Sequence, residues 1–227
     1  MAVLQQELRF QGRVTRKIEL RSLLYLPEKY QAVGRRRWPL LCFLHGAGER
    51  GTDLALVAKH GPPKLAAQKK EFPFILVSPQ CPPGQIWDDA ALLALLDHVR
   101  DRFRVDTHRV YLTGLSMGGY GTWSLGLKRP ERFAAIAPVC GGGTYADILL
   151  ANPDQRRAMR SLGVWAFHGA RDTVVPASES KVMVAALKKA GCRDVALTLY
   201  PHSGHDVHTE TYANPKLYEW FLSHRRQ

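Results

Sequence analysis

One motif, Gly114-Leu115-Ser116-Met117-Gly118, constrains the fold of this 227-residue chain more than any other stretch. It follows an apolar segment with strand character, residues 109–113, and precedes residues 120–128, whose pattern is typical of a helix. Glycines lack a Cβ, so a strand and a helix can approach closely here, and the serine between them lies on a tight turn with its hydroxyl exposed. The pentapeptide alone is also compatible with an ordinary serine in a glycine-rich turn.

The rest of the chain alternates between strand-like and helix-like segments. We predict strands at residues 3–10, 16–26, 39–45, 74–78, 109–113, 133–139, 163–167 and 195–200, the first two as a hairpin. We predict helices at residues 64–70, 92–103, 120–128, 154–160, 178–190 and 217–224. Strands separated by helices indicate a three-layer α/β fold, a mainly parallel twisted sheet with helices on both faces. No repeat or linker interrupts the pattern, so we expect one domain over residues 1–227 with no large lid.

Composition is that of a globular protein, with 45% hydrophobic and 23% charged residues. No apolar run of roughly 18 residues could form a membrane-spanning helix. The first residues lack a basic region followed by an apolar stretch, so we expect no signal peptide and a cytoplasmic location, with secretion possible if a leader was removed.

The four cysteines match no zinc-binding or C-x-x-C spacing. They are Cys42, Cys81, Cys140 and Cys192. Cys81 and Cys140 each follow a predicted strand, so a disulfide between them is conceivable, but free thiols are the expectation in a chain without a secretory signal.

The chain carries a formal net charge of +12, from 32 basic and 20 acidic residues. The basic residues are scattered, apart from short clusters at residues 35–37 and 224–226, and no basic helix with interleaved aromatic residues is present. We therefore expect neither nucleic acid nor membrane as a partner, and prefer a solvated positive surface. Attraction to acidic polymers or acidic esters is the alternative. The sequence does not indicate an oligomeric state.

A serine hydroxyl is a poor nucleophile unless a base removes its proton and a carboxylate orients that base. Asp172 and His205 each follow a predicted strand, and they succeed Ser116 in the order Ser, Asp, His. Because the carboxyl ends of parallel strands meet at one edge of a sheet, we predict that these three residues form a catalytic triad. The alternatives are that Asp172 caps a helix and that His205 is an ordinary loop histidine.

Three histidines at intervals of three residues, His202, His205 and His208, raise the alternative of a metal site. Metal ligation would occupy the base best placed for Ser116, so this alternative is disfavoured. We expect neither a metal nor a cofactor.

Two backbone N–H groups are needed to stabilise a developing oxyanion. One is predicted from Met117, which follows the serine, and the other from Ala47 in the loop at residues 45–51. A plain glycine turn is the competing interpretation of that loop. His45 is predicted to hold the loop in place rather than to act as a second base.

Four motifs together resemble the α/β-hydrolase superfamily. They are His45-Gly46-Ala47-Gly48-Glu49-Arg50-Gly51, Ser78-Pro79-Gln80-Cys81-Pro82, Gly114-Leu115-Ser116-Met117-Gly118-Gly119-Tyr120-Gly121 and Gly204-His205-Asp206. Within the superfamily the chain resembles carboxylesterases grouped with polyhydroxybutyrate-depolymerase-like and feruloyl-esterase-like proteins, from about residue 39 to the end. The resemblance implies a serine esterase without a cofactor. It also implies that Trp87 lines the substrate cleft, the alternative being packing on the core.

The motifs and the resemblance together predict a serine esterase that acts through an acyl-enzyme. The short segment between residues 139 and 163 indicates an open site, which favours short acyl groups, feruloyl or acetyl esters, and esters of bulky or polymeric alcohols. Two alternatives stay open: a peptidase or amidase with the same triad, and a non-catalytic binding module.

Overall fold

The computed structural model describes residues 7–68 and 72–226. Its described residues contain a seven-stranded sheet with the order β1-β3-β2-β4-β5-β6-β7. The strands are β1 (Ser22–Tyr25), β2 (Trp38–Leu44), β3 (Ile75–Pro79), β4 (Val105–Leu115), β5 (Ala135–Val139), β6 (Gly163–Gly169) and β7 (Val195–Tyr200). Only the β1–β3 pairing is antiparallel.

Helices connect the parallel strands and follow the last one. They are α1 (Gly61–Gln68), α2 (Asp89–Arg102), α3 (Met117–Lys128), α4 (Tyr145–Leu149), α5 (Pro153–Ser161), α6 (Ser178–Lys189), α7 (His208–Ala213) and α8 (Pro215–Ser223). Short 3₁₀ turns lie at Ala47–Glu49, Leu54–Lys59, Pro130–Arg132 and His205–Val207. The mainly parallel α/β architecture predicted from the sequence is confirmed. Between β5 and β6 the chain forms only α4 and α5, and no large lid is evident in the described residues.

The interior strand β2 shows why the sheet is covered on both faces. All seven of its residues are buried. Leu40 and Cys42 pack into the cluster that includes α2, α3 and α6, whereas Leu41 and Phe43 pack into the cluster that includes α7 and α8. Because side chains alternate across a strand, a continuous apolar run needs apolar neighbours on both faces. These two layers fix the sheet, and with it the loops at its carboxyl edge.

The predicted opening hairpin is wrong for the residues that the structure describes. Residues 7–21 contain no strand, and pairing begins at β1; residues 3–6 of the predicted first strand lie outside the described part of the chain. The apolar side chains of Leu8 and Phe10 are each 90% exposed. An alternating pattern forms a stable strand only where one face is buried, and no element among the described residues covers these side chains.

All four cysteines are buried free thiols, so the conceivable Cys81–Cys140 disulfide is absent. Burial raises the pKa of the Cys42 and Cys140 thiols, each to about 12. Within the described ranges, no helix has the length and apolar character needed to cross a bilayer.

Candidate active site

The turn between β4 and α3 holds Ser116 in a strained conformation. Its φ of 53° lies in the left-handed region, which residues other than glycine rarely adopt. Both flanking glycines are required by space: a Cβ on Gly118 would lie 1.9 Å from the Leu44 carbonyl oxygen, and one on Gly114 would lie 2.4 Å from the Gly118 carbonyl oxygen. The close packing of β2, β4 and α3 therefore holds Ser116 in this strained turn at the carboxyl end of the sheet.

Three loops at the carboxyl edge of the sheet bring the predicted triad side chains together. The Nε2 atom of His205 lies 2.9 Å from the Ser116 Oγ, and its Nδ1 atom lies 2.8 Å from the Asp172 Oδ2. The Asp172 side chain is fully buried, while that of His205 is 28% exposed. A proton can therefore pass from the hydroxyl to the imidazole, whose other nitrogen donates to a carboxylate.

The acid of this trio is held by the backbone of its own loop. The Oδ1 atom of Asp172 accepts hydrogen bonds from the N–H groups of Val174 and Val175, each at 2.9 Å. Burial acts to raise the pKa of Asp172, but the hydrogen bonds from His205, Val175 and Val174 outweigh it and hold that pKa below its usual range. The carboxylate is thus ionised at neutral pH and can stabilise a charged imidazole.

The loop after β2 is fastened through His45, which is 1% exposed. Its Nδ1–H donates to the Gly46 carbonyl at 2.6 Å, and its Nε2 accepts the Cys81 N–H at 2.9 Å. Burial lowers the pKa of His45, so the ring is neutral near pH 7. This geometry has both ring nitrogens engaged with backbone, as expected for a residue that holds the loop.

The two predicted oxyanion donors stand at the starts of helical turns. Met117 is the first residue of α3, and Ala47 is the first residue of the 3₁₀ turn after β2. The leading N–H groups of a helical turn have no partner within it and are available to an anion. The two loops are close together: Gly46 lies so near the Leu115 side chain that a Cβ on Gly46 would be 2.8 Å from it. Their role as an oxyanion hole stays a prediction.

Trp87 is buried against His45, at the start of the loop after β2. It is 8% exposed, its indole N–H donates to the His45 carbonyl at 3.2 Å, and its ring packs edge-on against the imidazole with centroids 4.8 Å apart. The predicted contact with substrate remains a prediction, and the packing adds a supporting role for the loop.

Two further side chains support the site, and sequence reasoning missed both. Gln80 donates from Nε2 to the carbonyl oxygens of Glu49 and Asp53, which ties the loop after β2 to the end of β3. His168 lies at the end of β6 beside Asp172. Gln80 belongs to the motif at residues 78–82, but that motif indicated no role for its side chain. The available signal for His168 was its position four residues before Asp172.

The three histidines of the metal alternative point to different partners. His202 is 3.4 Å from the Arg171 guanidinium, whereas His205 bonds Ser116 and Asp172. The ring of His208 packs against His60, with centroids 4.8 Å apart. In the part of the chain that the structure describes, no group of three or more His, Cys, Asp or Glu side chains could hold a metal ion.

Comparisons with known proteins agree with this architecture. The model of the dienelactone hydrolase family matches residues 56–215. A Salmonella typhimurium protein named as a carboxymethylenebutenolidase is 31% identical over 123 residues, which are 52% of this chain and 44% of the relative. An endo-1,4-beta-xylanase/feruloyl esterase of Xylanibacter ruminicola is 29% identical over 205 residues, covering 82% of this chain and 27% of the relative.

A solved thermostable esterase superposes with a TM-score of 0.73 and 32% identity, covering 90% of this chain and 59% of the esterase. The matches therefore span less than two thirds of each of these three proteins. The superfamily expected from the motifs is confirmed, and both the family model and the solved esterase are those of ester hydrolases.

Proposed function

Because this chain belongs to the dienelactone hydrolase family, we propose that it hydrolyses carboxylic esters with Ser116 as the nucleophile. The observation that carries the proposal is the unbroken hydrogen-bonded chain from Ser116 through His205 to Asp172. Nucleophile, base and orienting acid are each within bonding distance of the next, which is the arrangement that activates a serine hydroxyl.

The reaction proceeds in two halves. The Ser116 Oγ attacks the ester carbonyl while His205 Nε2 takes its proton, and the resulting imidazolium is stabilised by Asp172. The imidazolium then returns the proton to the leaving alcohol, which leaves an acyl-enzyme on the serine. Water then attacks the acyl carbonyl while His205 removes one of its protons. The second tetrahedral intermediate collapses as its bond to the Ser116 Oγ breaks and the imidazolium returns the proton to that oxygen, which releases the acid and restores the hydroxyl.

Negative charge develops on the carbonyl oxygen in both halves. We propose that the N–H groups of Ala47 and Met117 receive it, since the loops that carry them are in contact and each group starts a helical turn. A donor of this kind contributes about 3 kcal/mol to lowering the barrier. His45 serves this function indirectly, by fixing the loop on which Ala47 lies.

The proposed substrates are esters of short or aromatic acids, including acetyl and feruloyl esters, with the alcohol free to be bulky or polymeric. The absence of a large lid from the described residues supports an open site. The relative whose name includes feruloyl esterase supports the aromatic acyl group. We propose no nucleic-acid or membrane partner.

A hydrolysis panel tests the proposal. Nitrophenyl acetate, a long-chain nitrophenyl ester, methyl ferulate, an acetylated xylo-oligosaccharide and a peptide nitroanilide are compared in the parent and in Ser116→Ala. We expect turnover of the short and aromatic esters by the parent and a loss of about 10⁴-fold or more in the variant. Equal turnover by both proteins contradicts the proposal. Equal turnover of long and short esters contradicts the substrate class, and peptide cleavage without ester cleavage favours an amidase.

A further inference from the structure

A second histidine lies beside the triad acid. His168 is the last residue but one of β6 and is fully buried. Its Nε2 atom is 2.9 Å from the Val175 carbonyl oxygen and 3.4 Å from the Asp172 Oδ2, and its Nδ1 atom is 2.8 Å from the Ser180 Oγ. Both ring nitrogens are thus occupied by groups of the loop after β6 and of α6.

The partners of Nε2 determine where its hydrogen lies. A backbone carbonyl and an ionised carboxylate only accept hydrogen bonds, so Nε2 carries a hydrogen in this arrangement. The Ser180 hydroxyl, which lies 2.8 Å from Nδ1, is also 3.1 Å from the Gly141 carbonyl oxygen. The imidazole is therefore held between two neighbours, and its Nε2–H donates to the Val175 carbonyl, with the acid 3.4 Å from Nε2.

Val175 connects His168 to the triad. Its N–H donates to the Oδ1 of Asp172, and its carbonyl accepts from His168. The other carboxylate oxygen, Oδ2, bonds His205 and lies 3.4 Å from the His168 Nε2. Any shift of Val175 would rotate the carboxylate, and with it the hydrogen bond that orients His205.

We propose that His168 is a positioning residue for Asp172. It fixes the Val175 backbone that holds Oδ1 and places its ring 3.4 Å from Oδ2, so that the carboxylate keeps one orientation toward His205. The inference rests on the proposed function, because a positioned acid matters to the rate only if the triad is catalytic. The His205–Asp172 hydrogen bond itself can be observed without turnover.

Three variants and a control test the role. His168→Phe removes both ring nitrogens, His168→Gln keeps an amide N–H donor, and Ser180→Ala removes the hydroxyl at Nδ1. Ser161→Ala is the matched control, since its hydroxyl bonds the Ala158 carbonyl at the end of α5. Each protein is measured for kcat and KM with nitrophenyl acetate, for its melting temperature, and for the downfield proton NMR resonance of the His205 Nδ1–H, assigned by its loss in Asp172→Asn.

A misplacement of about 1 Å at a catalytic group is worth about 100-fold in rate, so we expect His168→Phe to lower kcat by about 10- to 100-fold with KM within about twofold of the parent. The His205 resonance should shift or broaden. We expect His168→Gln to recover most of the lost rate, Ser180→Ala to lose several-fold in kcat, and Ser161→Ala to match the parent.

An unchanged kcat and an unshifted resonance in His168→Phe would overturn the inference. If that variant does not fold, Ser180→Ala decides by the same two readings. Failure of the proposed function has a different signature, namely hydrolysis that persists in Ser116→Ala. In that case the resonance alone tests whether His168 positions the acid.

Discussion

Two buried histidines support opposite sides of the site, and they do so in different ways. The two ring nitrogens of His45, directly after β2, bond backbone groups, those of Gly46 and Cys81. His168, near the end of β6, bonds the Val175 carbonyl and lies against the ionised side chain of Asp172. The first therefore holds the loop of Ala47, the proposed N–H donor, whereas the second lies against a charged side chain. Disruption of the His45 side should weaken oxyanion stabilisation, and disruption of the His168 side should weaken orientation of the base.

We expect the largest loss of activity from a change at Asp172, the acid of the triad. Asp172→Asn keeps the size of the side chain but removes the charge that faces His205. We expect kcat to fall by about 10³- to 10⁴-fold, because an amide cannot stabilise the imidazolium and favours the wrong tautomer. Steady-state kinetics measure the loss, with Asp154→Asn in the first turn of α5 as control. A loss of less than tenfold would mean that the acid side contributes little.

We expect the next largest loss from a change at His45, which holds the loop of the proposed oxyanion donor. His45→Phe leaves the buried Cys81 N–H without its acceptor and releases the Gly46 carbonyl. We expect a loss of about 1–3 kcal/mol in the free energy of unfolding. Because removal of one oxyanion donor lowers kcat by about 10²- to 10³-fold, we expect a fall of about 10²-fold as the loop shifts. Urea denaturation and kinetics measure both. An unchanged kcat in a destabilised variant would separate the loop's stability from its catalytic position.

A milder change on the same side sharpens the role of Trp87. Trp87→Phe removes the indole N–H that bonds the His45 carbonyl but keeps a ring against the imidazole. We expect a loss of about 1 kcal/mol in stability and a modest fall in kcat with KM nearly unchanged. A raised KM for methyl ferulate at constant kcat would instead show that the ring contacts substrate, as the resemblance implies.

The smallest effect is a dependence of stability on pH. Burial lowers the pKa of His45 in the folded protein, so the unfolded chain binds more protons as the pH falls below about 6.5. Stability should therefore decrease as the pH falls from about 6.5 toward the folded pKa, and level off below it. Thermal unfolding of the parent and of His45→Phe between pH 7.5 and 5 measures the difference in slope. Identical slopes would contradict a buried neutral His45.

Elements with local signals could be predicted from the sequence. Buried parallel strands such as β2 and β5 are continuous apolar runs, and the glycines around Ser116 indicate the tight turn. The order Ser116, Asp172, His205, each after a strand, predicted these side chains at one edge of the sheet, and the structure has them in contact after β4, β6 and β7. Their catalytic roles stay predictions until hydrolysis is measured.

What could not be predicted depends on contacts that leave no local trace. The opening hairpin was expected from alternation, but alternation does not reveal whether any face exists to bury Leu8 and Phe10. The helices α4 and α7 are too short to show the apolar periodicity by which a helix is detected in a sequence. Gln80 and His168 act largely through backbone carbonyls, and a carbonyl acceptor carries no side-chain signature.

Covalent labelling tests the central claim most directly. The parent is treated with a fluorophosphonate and analysed by intact mass and peptide mapping, beside Ser116→Ala. We predict one adduct on the parent, located on Ser116, and none on the variant. An unlabelled parent, or an adduct on another residue that persists in the variant while esters are hydrolysed, would contradict a serine activated by His205 and Asp172.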